Sequence, residues 1–325
     1  MLELTFTSRF HPHLDLHDAR VLARTAATRP GGAVIHCHRG KDHWTAQAAR
    51  SIFGLRAPLI RTRHVVLPVS GGPLNRWLFR RVAKVICVSE AARAGYLTSG
   101  KLPAGRLEVI HSGSGDLSKF RPPSSRERRA AREELGLRES DRAAVLVGRL
   151  QRIKGHRVFI EAAAEVVKRV EHARFLIVGG GRNRSEYEKV AENLGLGTHL
   201  RLLGRREDVP RILRACDLGV VASLGSEGFS RAALEYMGSG LPVVATRVGA
   251  LPEIVVEGRT GYLVDPEDAR ALAAAMARVL GEAEAARVMG SAGRKRAEEA
   301  FSRDAWISAH EAVYDGCLAE AARNN

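Results

Sequence analysis

The chain has 325 residues, of which 45% are hydrophobic and 27% charged, and its formal net charge at pH 7 is +15. This apolar fraction excludes a disordered chain, and the scattered glycines exclude collagen-like and other short-period repeats. Because no stretch of about 18 residues is free of charge, a bilayer-spanning helix is also excluded. A chain of this length is expected to form two globular domains.

The predicted elements alternate along the chain between short β-rich apolar runs and segments of helical period. Strands are predicted at residues 2–6, 33–36, 59–61, 84–88, 107–110, 144–147, 174–178, 200–203, 218–222, 242–245 and 261–264. Predicted helices between them include residues 18–29, 45–53, 157–170, 184–194 and 269–280. This alternation indicates an α/β protein whose parallel sheets are covered by helices on both faces.

Two features suggest how the domains are divided. Residues 119–132 are polar and contain two adjacent prolines, so we expect a linker there rather than a core element. The predicted domains are then residues 1–120 and 121–303. A final helix is predicted within residues 304–325, and its apolar side, which includes Trp306 and Cys317, could pack back on the first domain.

The ends and cysteines of the chain indicate its compartment. The first residues lack the apolar segment of a signal peptide, so a cytoplasmic protein is expected. The cysteines are too far apart for a C-x-x-C pair, and each is expected to be a buried free thiol. They are Cys37, Cys87, Cys216 and Cys317.

Positive charge is concentrated in the first third of the chain. Residues 1–125 contain 19 Lys and Arg against 7 Asp and Glu, whereas residues 126–325 contain 32 against 29. This reflects either a compositional preference for Arg or an electropositive face that attracts anionic lipid or phosphorylated glycan, with nucleic acid not expected as a partner. A basic surface helix or an ordinary solvated helix face is predicted after Pro73, with Arg76, Trp77, Arg80, Arg81 and Lys84 at helical spacing.

The most informative stretch follows the predicted strand at residues 218–222. Glu227 and Glu235 lie on either side of a predicted helix start near Ser230. The amides of Gly228, Phe229 and Ser230 are expected to point away from the strand ends, where a helix N-terminus favours an anion such as phosphate. Carboxylates at this edge can accept hydrogen bonds from the vicinal hydroxyls of a ribose or hexose.

The two glutamates resemble the E-x7-E signature of retaining, nucleotide-sugar-dependent glycosyltransferases of the fourth sequence family, which have the GT-B fold. Residues 147–155 (VGRLQRIKG) resemble that family's G-R-L-x-x-x-K-G segment. Residues 248–255 (VGALPEIV) and 258–264 (GRTGYLV) resemble its G-G-x-P-E-I-V and N-G-x-T-G-x-L-V segments. The resemblance implies two Rossmann-like domains that face each other across a cleft.

The resemblance also implies roles for individual residues. Arg149 and Lys154 contact the donor diphosphate, Glu235 binds the ribose, and Glu227 lies near the hydroxyls of the transferred sugar. Because no D-x-D motif is present, neither a metal nor another cofactor is expected, and cations and helix amides stabilise the leaving diphosphate. The implied donor-binding residues are Gly148, Arg149, Lys154, Arg205, Glu227, Gly228, Phe229, Ser230 and Glu235, and the implied catalytic residues are His64, Arg149, Lys154 and Glu227.

Histidines characterise the first predicted domain. Residues 61–68 (RTRHVVLP) resemble the family segment whose histidine, here His64, lies close to the donor sugar, although a structural loop histidine is the alternative. Residues 34–38 (VIHCH) resemble the family's V-H-A-H segment. His36, His38 and His43 could instead suggest zinc, but no fourth ligand is evident, so a metal site is not expected.

Three further segments are less informative than the motifs above. Residues 179–181 (GGG) follow a predicted strand and are expected to form a tight turn into a helix rather than a dinucleotide fingerprint. Residues 203–210, which contain Arg205, resemble the family loop near the nucleotide base. Residues 112–120 correspond to the family's N-G-V-D-x-x-x-F segment at the entry to the linker.

The resemblance is incomplete at the amino-terminal side. The V-H-A-H region is reached by residue 36, whereas family members usually have two more strand-helix units before it, so a shortened first domain is expected. A misplaced start codon, a natural remnant and compensation by self-association are three explanations. The omission leaves an open sheet edge and apolar surface.

The function that these patterns favour is a retaining glycosyltransferase. It would move a sugar from a nucleoside diphosphate donor to a lipid-linked or polysaccharide acceptor, as in cell envelope polysaccharide biosynthesis, in the cytoplasm or at the inner face of the membrane. One alternative is a nucleotide-sugar-binding remnant that regulates or scaffolds a glycan pathway. Another is a sugar-phosphate epimerase or phosphorylase of the same fold.

Overall fold

The computed structural model describes residues 11–29, 32–66, 72–99, 102–113, 117–225 and 227–323. The chain divides into two compact units. The first unit comprises the described residues up to Ser112 and those from Asp304 onward, and the second unit spans Gly113–Arg303. The strand predicted at residues 2–6 lies outside the described residues.

The strands and helices alternate in chain order. The strands are β1 (Ile35–Cys37), β2 (Leu59–Arg63), β3 (Lys84–Cys87), β4 (Leu107–Val109), β5 (Arg142–Val147), β6 (Ala173–Val178), β7 (Leu200–Gly204), β8 (Leu218–Val221), β9 (Val243–Thr246) and β10 (Gly261–Val264). The helices are α1 (Pro12–Ala27), α2 (Gly40–Phe53), α3 (Pro73–Arg80), α4 (Glu90–Ser99), α5 (Ser125–Glu134), α6 (His156–Val166), α7 (Arg184–Asn193), α8 (Val209–Ala215), α9 (Arg231–Gly238), α10 (Leu251–Ile254), α11 (Ala269–Gly281), α12 (Ala283–Ala300) and α13 (Arg303–Arg323).

The first unit is built on a parallel sheet of order β1-β2-β3-β4. Alternation along the strands directs apolar side chains to both faces. On one face, Leu59 packs with alanines of α1 and α2, and Val85 packs with α3 and α4. On the other face, Ile60 and Ile86 pack with Cys317 of α13. The carboxyl-terminal helix therefore completes the core of the first unit.

The second unit contains a parallel sheet of order β10-β9-β8-β5-β6-β7. Its strands are almost wholly apolar because helices cover both faces, α6, α7 and α11 on one and α5, α8, α9 and α12 on the other. The chain runs outward from β5 to β7 and then returns to β8, which pairs with β5. Strand order reverses between β5 and β8, and in sheets of this kind ligands bind at the carboxyl ends of the strands beside such a point.

Two expectations about local structure are wrong. Residues 125–134 form helix α5, so the stretch 119–132 is not merely a linker. Its amino terminus is a capping box, in which the amide of Glu127 donates to Ser124 Oγ at 3.3 Å and the amide of Ser124 donates to Glu127 Oε2 at 2.9 Å. Lys84 does not lie on helix α3, which ends at Arg80. Lys84 begins strand β3, whose apolar run at residues 85–87 is buried in the sheet.

The remaining global expectations concern cysteines and membrane spans. Cys37, Cys87, Cys216 and Cys317 are buried and unpaired, as predicted. Among the described residues, no helix combines the length and the apolar composition that crossing a bilayer requires.

Candidate functional site

The candidate site of the second unit is a cavity of about 390 Å³ at the carboxyl ends of β5 and β8. It lies where the strand order reverses, as the topology favours. Several residues predicted from the sequence line it together. The lining residues are Leu146, Val147, Gly148, Arg149, Lys154, Val220, Val221, Ala222, Ser223, Glu227, Phe229, Ser230, Arg231 and Ala232.

The loop after β5 is held by main-chain contacts on both sides. Leu150 N donates to the carbonyl oxygen of Gly180 at 2.9 Å, in the glycine-rich turn that joins β6 to α7 as predicted. Gly155 has φ +67°, and a Cβ on this residue would stand 1.8 Å from the carbonyl oxygen of Ala222. Only glycine fits so close to β8. The loop thereby places Lys154 at the cavity wall, while Arg149 is exposed.

A buried carboxylate lies opposite this loop. Glu227 is only 6% exposed, and its Oε2 accepts hydrogen bonds from Lys154 Nζ at 2.7 Å and from Ser223 Oγ at 2.8 Å. A cation and a hydroxyl thus compensate the cost of burying this charge. The ion pair between Lys154 and Glu227 holds the Glu227 carboxylate in one position at the cavity wall.

Helix α9 begins at the cavity. Ser230 is its N-cap residue, and Ser230 Oγ accepts a hydrogen bond from Ala233 N at 3.4 Å. The first amides of the helix and its dipole favour an anion at this end. Arg231, the first residue of the helix, also lines the cavity and was not predicted from the sequence. The sequence could have indicated Arg231, because it directly follows the N-cap residue and its side chain therefore lies at the amino terminus of the helix.

Glu235 lies one turn further into α9 and is not among the residues that line the cavity. Its side chain is 16% exposed and lies 3.8 Å from Arg231 Nη2. Burial raises the pKa of Glu235, and the nearby Arg231 guanidinium opposes that rise. Glu235 therefore lies next to the cavity, behind Arg231.

Two other predicted donor-site residues also lie outside the lining. Arg205 is exposed just after β7, beside Gly180, and Gly228 is buried. The structure thus brings together Gly148, Arg149, Lys154, Glu227, Phe229 and Ser230 and leaves Arg205, Gly228 and Glu235 around them.

In the first unit, the predicted histidines lie at the carboxyl ends of β1 and β2. His38 Nδ1 lies 3.1 Å from His64 Nε2, and one ring must donate a proton to the other. His36 Nδ1 lies 2.7 Å from the Tyr314 hydroxyl of α13, and its Nε2 lies 2.6 Å from Thr62 Oγ1. His64 therefore forms a hydrogen-bonded pair with His38 directly after β2, an arrangement that fits both a site residue and a structural loop histidine.

Burial governs the titration of these rings. Burial, with the His38 charge, lowers the pKa of His36 to about 4, and it also lowers the pKa of His38 and of His64. Neutral rings can donate or accept a hydrogen bond to a hydroxyl. In those parts of the chain that the structure covers, no group of three or more His, Cys, Asp or Glu side chains is arranged to hold a metal ion.

Comparison with known sequences follows the same division into two units. Residues 127–296 match the family described as glycosyl transferases group 1. Residues 4–114 match a profile described as glycosyltransferase family 4. The chain belongs to the glycosyl transferases group 1 family.

Relatives within this family are similar over most of the chain. The D-inositol 3-phosphate glycosyltransferase of Corynebacterium urealyticum is 37% identical over 272 residues, which cover 77% of this chain and 63% of the relative. The N-acetyl-alpha-D-glucosaminyl L-malate synthase of Bacillus anthracis is 25% identical over 310 residues, which cover 94% of this chain and 80% of the relative. The chain thus spans less than two thirds of the Corynebacterium urealyticum relative.

Solved structures show the fold of the family. A glycosyltransferase from Rickettsia africae ESF-5 aligns with a TM-score of 0.86 at 21% identity, covering 98% of this chain and 84% of that chain. Anabaena HepE in complex with UDP aligns with a TM-score of 0.81 at 23% identity, covering 92% of this chain and 82% of that chain. This group 1 glycosyltransferase chain therefore has the GT-B fold, with two Rossmann-like units.

Proposed function

We propose that the chain is a retaining glycosyltransferase that transfers a sugar from a nucleoside diphosphate sugar to a lipid-linked or polysaccharide acceptor. The observation that carries this proposal is one cavity that gathers Arg149, Lys154 and Arg231 at the start of a helix, with a buried glutamate opposite. The relatives include a D-inositol 3-phosphate glycosyltransferase and an N-acetyl-alpha-D-glucosaminyl L-malate synthase, and the solved structure of Anabaena HepE is a complex with UDP.

The cations of the cavity have an electrostatic role in this proposal. As the donor reacts, negative charge builds up on the departing nucleoside diphosphate. Arg149, Lys154 and the first amides of α9 line one volume and stabilise that charge, with Lys154 moving from Glu227 to the diphosphate. Each such contact contributes on the order of 3 kcal/mol to the transition state. Cations and amides then supply what a metal ion supplies in other transferases, so no cofactor is part of the proposal.

The carboxylates hold the sugars of the donor. When a diphosphate draws Lys154 away, Glu227 is freed to accept hydrogen bonds from the hydroxyls of the transferred sugar while it keeps Ser223. Glu235 accepts hydrogen bonds from the ribose at the rim of the cavity. Arg205, near the end of β7, contacts the nucleotide at its base.

The transfer step needs no covalent nucleophile. The acceptor oxygen forms a bond to the anomeric carbon on the face from which the diphosphate leaves, and the bond between that carbon and the phosphate oxygen breaks. The acceptor proton passes to the leaving oxygen, so the configuration is retained. The protein orients the reactants and stabilises charge. The first unit binds the acceptor, where His64 and His38 supply hydrogen bonds at the carboxyl edge of its sheet.

The proposal is tested by replacing Lys154. We expect Lys154→Ala to weaken binding of UDP, GDP or ADP, whichever the wild-type chain binds, at least tenfold, because one diphosphate contact is lost. Nucleoside without phosphate should bind as before. Transfer of radiolabelled sugar to membrane extracts should fall about a hundredfold. Glu235→Ala should weaken the nucleoside and the nucleoside diphosphate by similar factors.

The matched control is Lys168→Ala, which removes the same charge from a solvent-exposed ion pair with Glu165. It should leave affinity and transfer unchanged. Unchanged diphosphate affinity in Lys154→Ala would contradict the assignment of the cavity. Transfer that inverts the anomeric configuration would contradict the retaining mechanism while leaving the donor site intact.

A further inference from the structure

A second cavity, distinct from the donor site, lies at the amino edge of the sheet in the first unit. Its volume is about 320 Å³. Pro58, Ala83 and Arg106 line it, and they directly precede β2, β3 and β4. His38 and His64 follow β1 and β2, so the cavity lies at the opposite edge of the sheet from this histidine pair. This cavity shares no lining residue with the donor site.

Five arginines line this cavity with a single carboxylate, that of Glu320. They are Arg50, Arg56, Arg80, Arg81 and Arg106. None of the five forms an ion pair with a residue that the structure describes. Five like charges around one small volume repel one another, and this repulsion is relieved when an anion binds among them. Burial and the Arg81 charge lower the pKa of Arg50, in keeping with such crowding.

Helix capping accounts for only part of this cluster. Arg50 Nη1 donates to the carbonyl oxygen of Arg81 at 2.8 Å, and Arg106 Nη1 donates to that of Arg80 at 2.8 Å, so these two satisfy the end of α3. The side chains of Arg56 and Arg80 have no hydrogen-bond acceptor among the described residues. They remain available to a ligand.

A cavity of about 580 Å³ adjoins this arginine-lined cavity. Most of its lining residues are apolar, so we call it the apolar cavity, although Arg29 and Arg56 also line it. The two share Arg56, Pro58 and Ala321 as lining residues. The rest of the second cavity is formed mainly by alanines of α1 and apolar side chains from the end of α2 and from α13, among them Ala23, Ala26, Phe53, Leu55 and Leu318. A cationic volume that continues into an apolar one matches a molecule with an anionic head and a hydrocarbon chain.

Two exposed aromatic residues lie next to Arg81, Trp77 directly and Trp44 through its stacking with Trp77. Trp44 and Trp77 stack with ring centroids 6.2 Å apart, and each is more than a third exposed. The guanidinium of Arg81, which lines the arginine cavity, lies 4.8 Å from the Trp77 ring centroid. Tryptophan and arginine together are typical of surfaces that lie at the boundary of a membrane.

We propose that the amino edge of the first unit binds a lipid that bears a phosphate group, with the phosphate among the five arginines and the hydrocarbon chain in the adjoining apolar cavity. The site holds the chain on an anionic membrane. The proposal does not rest on the donor cavity, whose residues all belong to the second unit.

The experiment measures binding to vesicles of phosphatidylcholine alone and to vesicles that also contain phosphatidic acid. We expect the wild-type chain to bind only the latter. Arg56→Ala with Arg80→Ala removes two cations that make no capping contact, and it should weaken binding on the order of thirtyfold. The control, Arg20→Ala with Arg24→Ala, removes the same charge from exposed positions of α1 and should weaken binding far less.

A second variant tests the apolar cavity. Ala322 is exposed and lines that cavity, so Ala322→Trp fills it without disturbing the core. We expect Ala322→Trp to weaken binding to phosphatidic acid vesicles and to leave binding of inorganic pyrophosphate unchanged. Pyrophosphate is titrated into a chain that also carries Arg149→Ala and Lys154→Ala, so that the donor cavity does not contribute.

Three outcomes would overturn the proposal. The first is no preference for phosphatidic acid vesicles, and the second is an equal loss in the two arginine pairs, which would indicate diffuse surface charge. The third is unchanged vesicle binding in Ala322→Trp, which would indicate that only the phosphate headgroup is bound and that the hydrocarbon chain does not enter the adjoining cavity. Loss of sugar transfer in Lys154→Ala leaves all three measurements as they are, so failure of the proposed function is recognised separately.

Discussion

At the scale of single residues, the position of Glu227 depends on a glycine later in the chain. Gly249 has φ +56°, and a Cβ on it would stand 1.9 Å from the carbonyl oxygen of Glu227. The same oxygen accepts a hydrogen bond from Ala250 N at 2.9 Å. The loop at residues 248–255 thus supports the site carboxylate from behind, and this close approach leaves no space for a side chain.

We expect Gly249→Ala to destabilise the second unit by about 3 kcal/mol or more and to weaken nucleotide binding, because both the backbone conformation and the overlap with Glu227 are unfavourable. Gly258→Ala is the matched control, since Gly258 has φ +70° and no atom within 4 Å of the added Cβ. It should cost only about 1 kcal/mol. Denaturant unfolding and nucleotide titration of both variants measure the difference, and equal losses would show that overlap with Glu227 is unimportant.

At the scale of elements, helix α5 is attached to its unit largely by one buried arginine, Arg132, since Ala131 is its only other buried residue. Arg132 is 2% exposed. Its guanidinium donates to the carbonyl oxygens of Ala215 at 2.9 Å, Arg138 at 2.7 Å and Asp141 at 2.5 Å. These contacts attach α5 to the end of α8 and to the start of β5. Main-chain acceptors at the ends of elements are therefore satisfied by one side chain.

Arg132→Leu should destabilise the second unit by about 3 kcal/mol, because three buried carbonyl oxygens lose a charged donor that leucine cannot replace. Arg129 lies on the same helix and is exposed, so Arg129→Leu should change the free energy of unfolding by less than about 0.5 kcal/mol. Urea unfolding of the two variants compares them directly. A similar small loss in both would mean that the Arg132 contacts contribute little.

The sequence predicts the strands better than the helices. Every described strand lies within two residues of its predicted bounds, because buried parallel strands are continuous apolar runs. Helix α1 begins at Pro12 and not at residue 18, and α2 begins at Gly40 and not at residue 45. Their first turns are polar, and Asp15 of α1 and Lys41 of α2 form an ion pair at 2.8 Å. A search for apolar residues at helical spacing therefore misses the first helical turns, which an ion pair stabilises.

At the scale of the whole molecule, short motifs predict which loops meet but not which side chains reach a shared volume. Residues 147–155 and 227–235 do converge on one cavity. Arg231 and Glu235 lie on the same side of α9, four residues apart, so Arg231 reaches the cavity and Glu235 lies behind it. The phosphate-lipid site has no motif, because its arginines come from the ends of separate elements.

Histidines whose pKa burial lowers make the stability of both units depend on pH, and His43 and His156 are the most deeply buried of them. Burial, with the Arg61 charge, lowers the pKa of His43 in the first unit to about 4. Burial lowers the pKa of His156 in the second unit to about 4, although the main chain of Gln151 and Gly148 opposes this. An unfolded histidine titrates near pH 6.5, so between about pH 6.5 and 4 the unfolded chain binds protons that the folded chain does not. The free energy of unfolding therefore falls as the pH falls through this window.

We expect each of these two histidines to lower the free energy of unfolding by up to about 3 kcal/mol as the pH falls across that window. His43→Phe and His156→Phe should each remove the contribution of the histidine that is replaced. All three tryptophans, Trp44, Trp77 and Trp306, belong to the first unit, so their fluorescence during denaturant unfolding follows this unit, in which burial lowers the pKa of both His43 and His36. Circular dichroism also follows the second unit. The exposed ring of His17 provides the control, and His17→Phe should leave the pH dependence unchanged. If His43→Phe keeps the full pH dependence of the fluorescence transition, another group in the first unit must bind those protons.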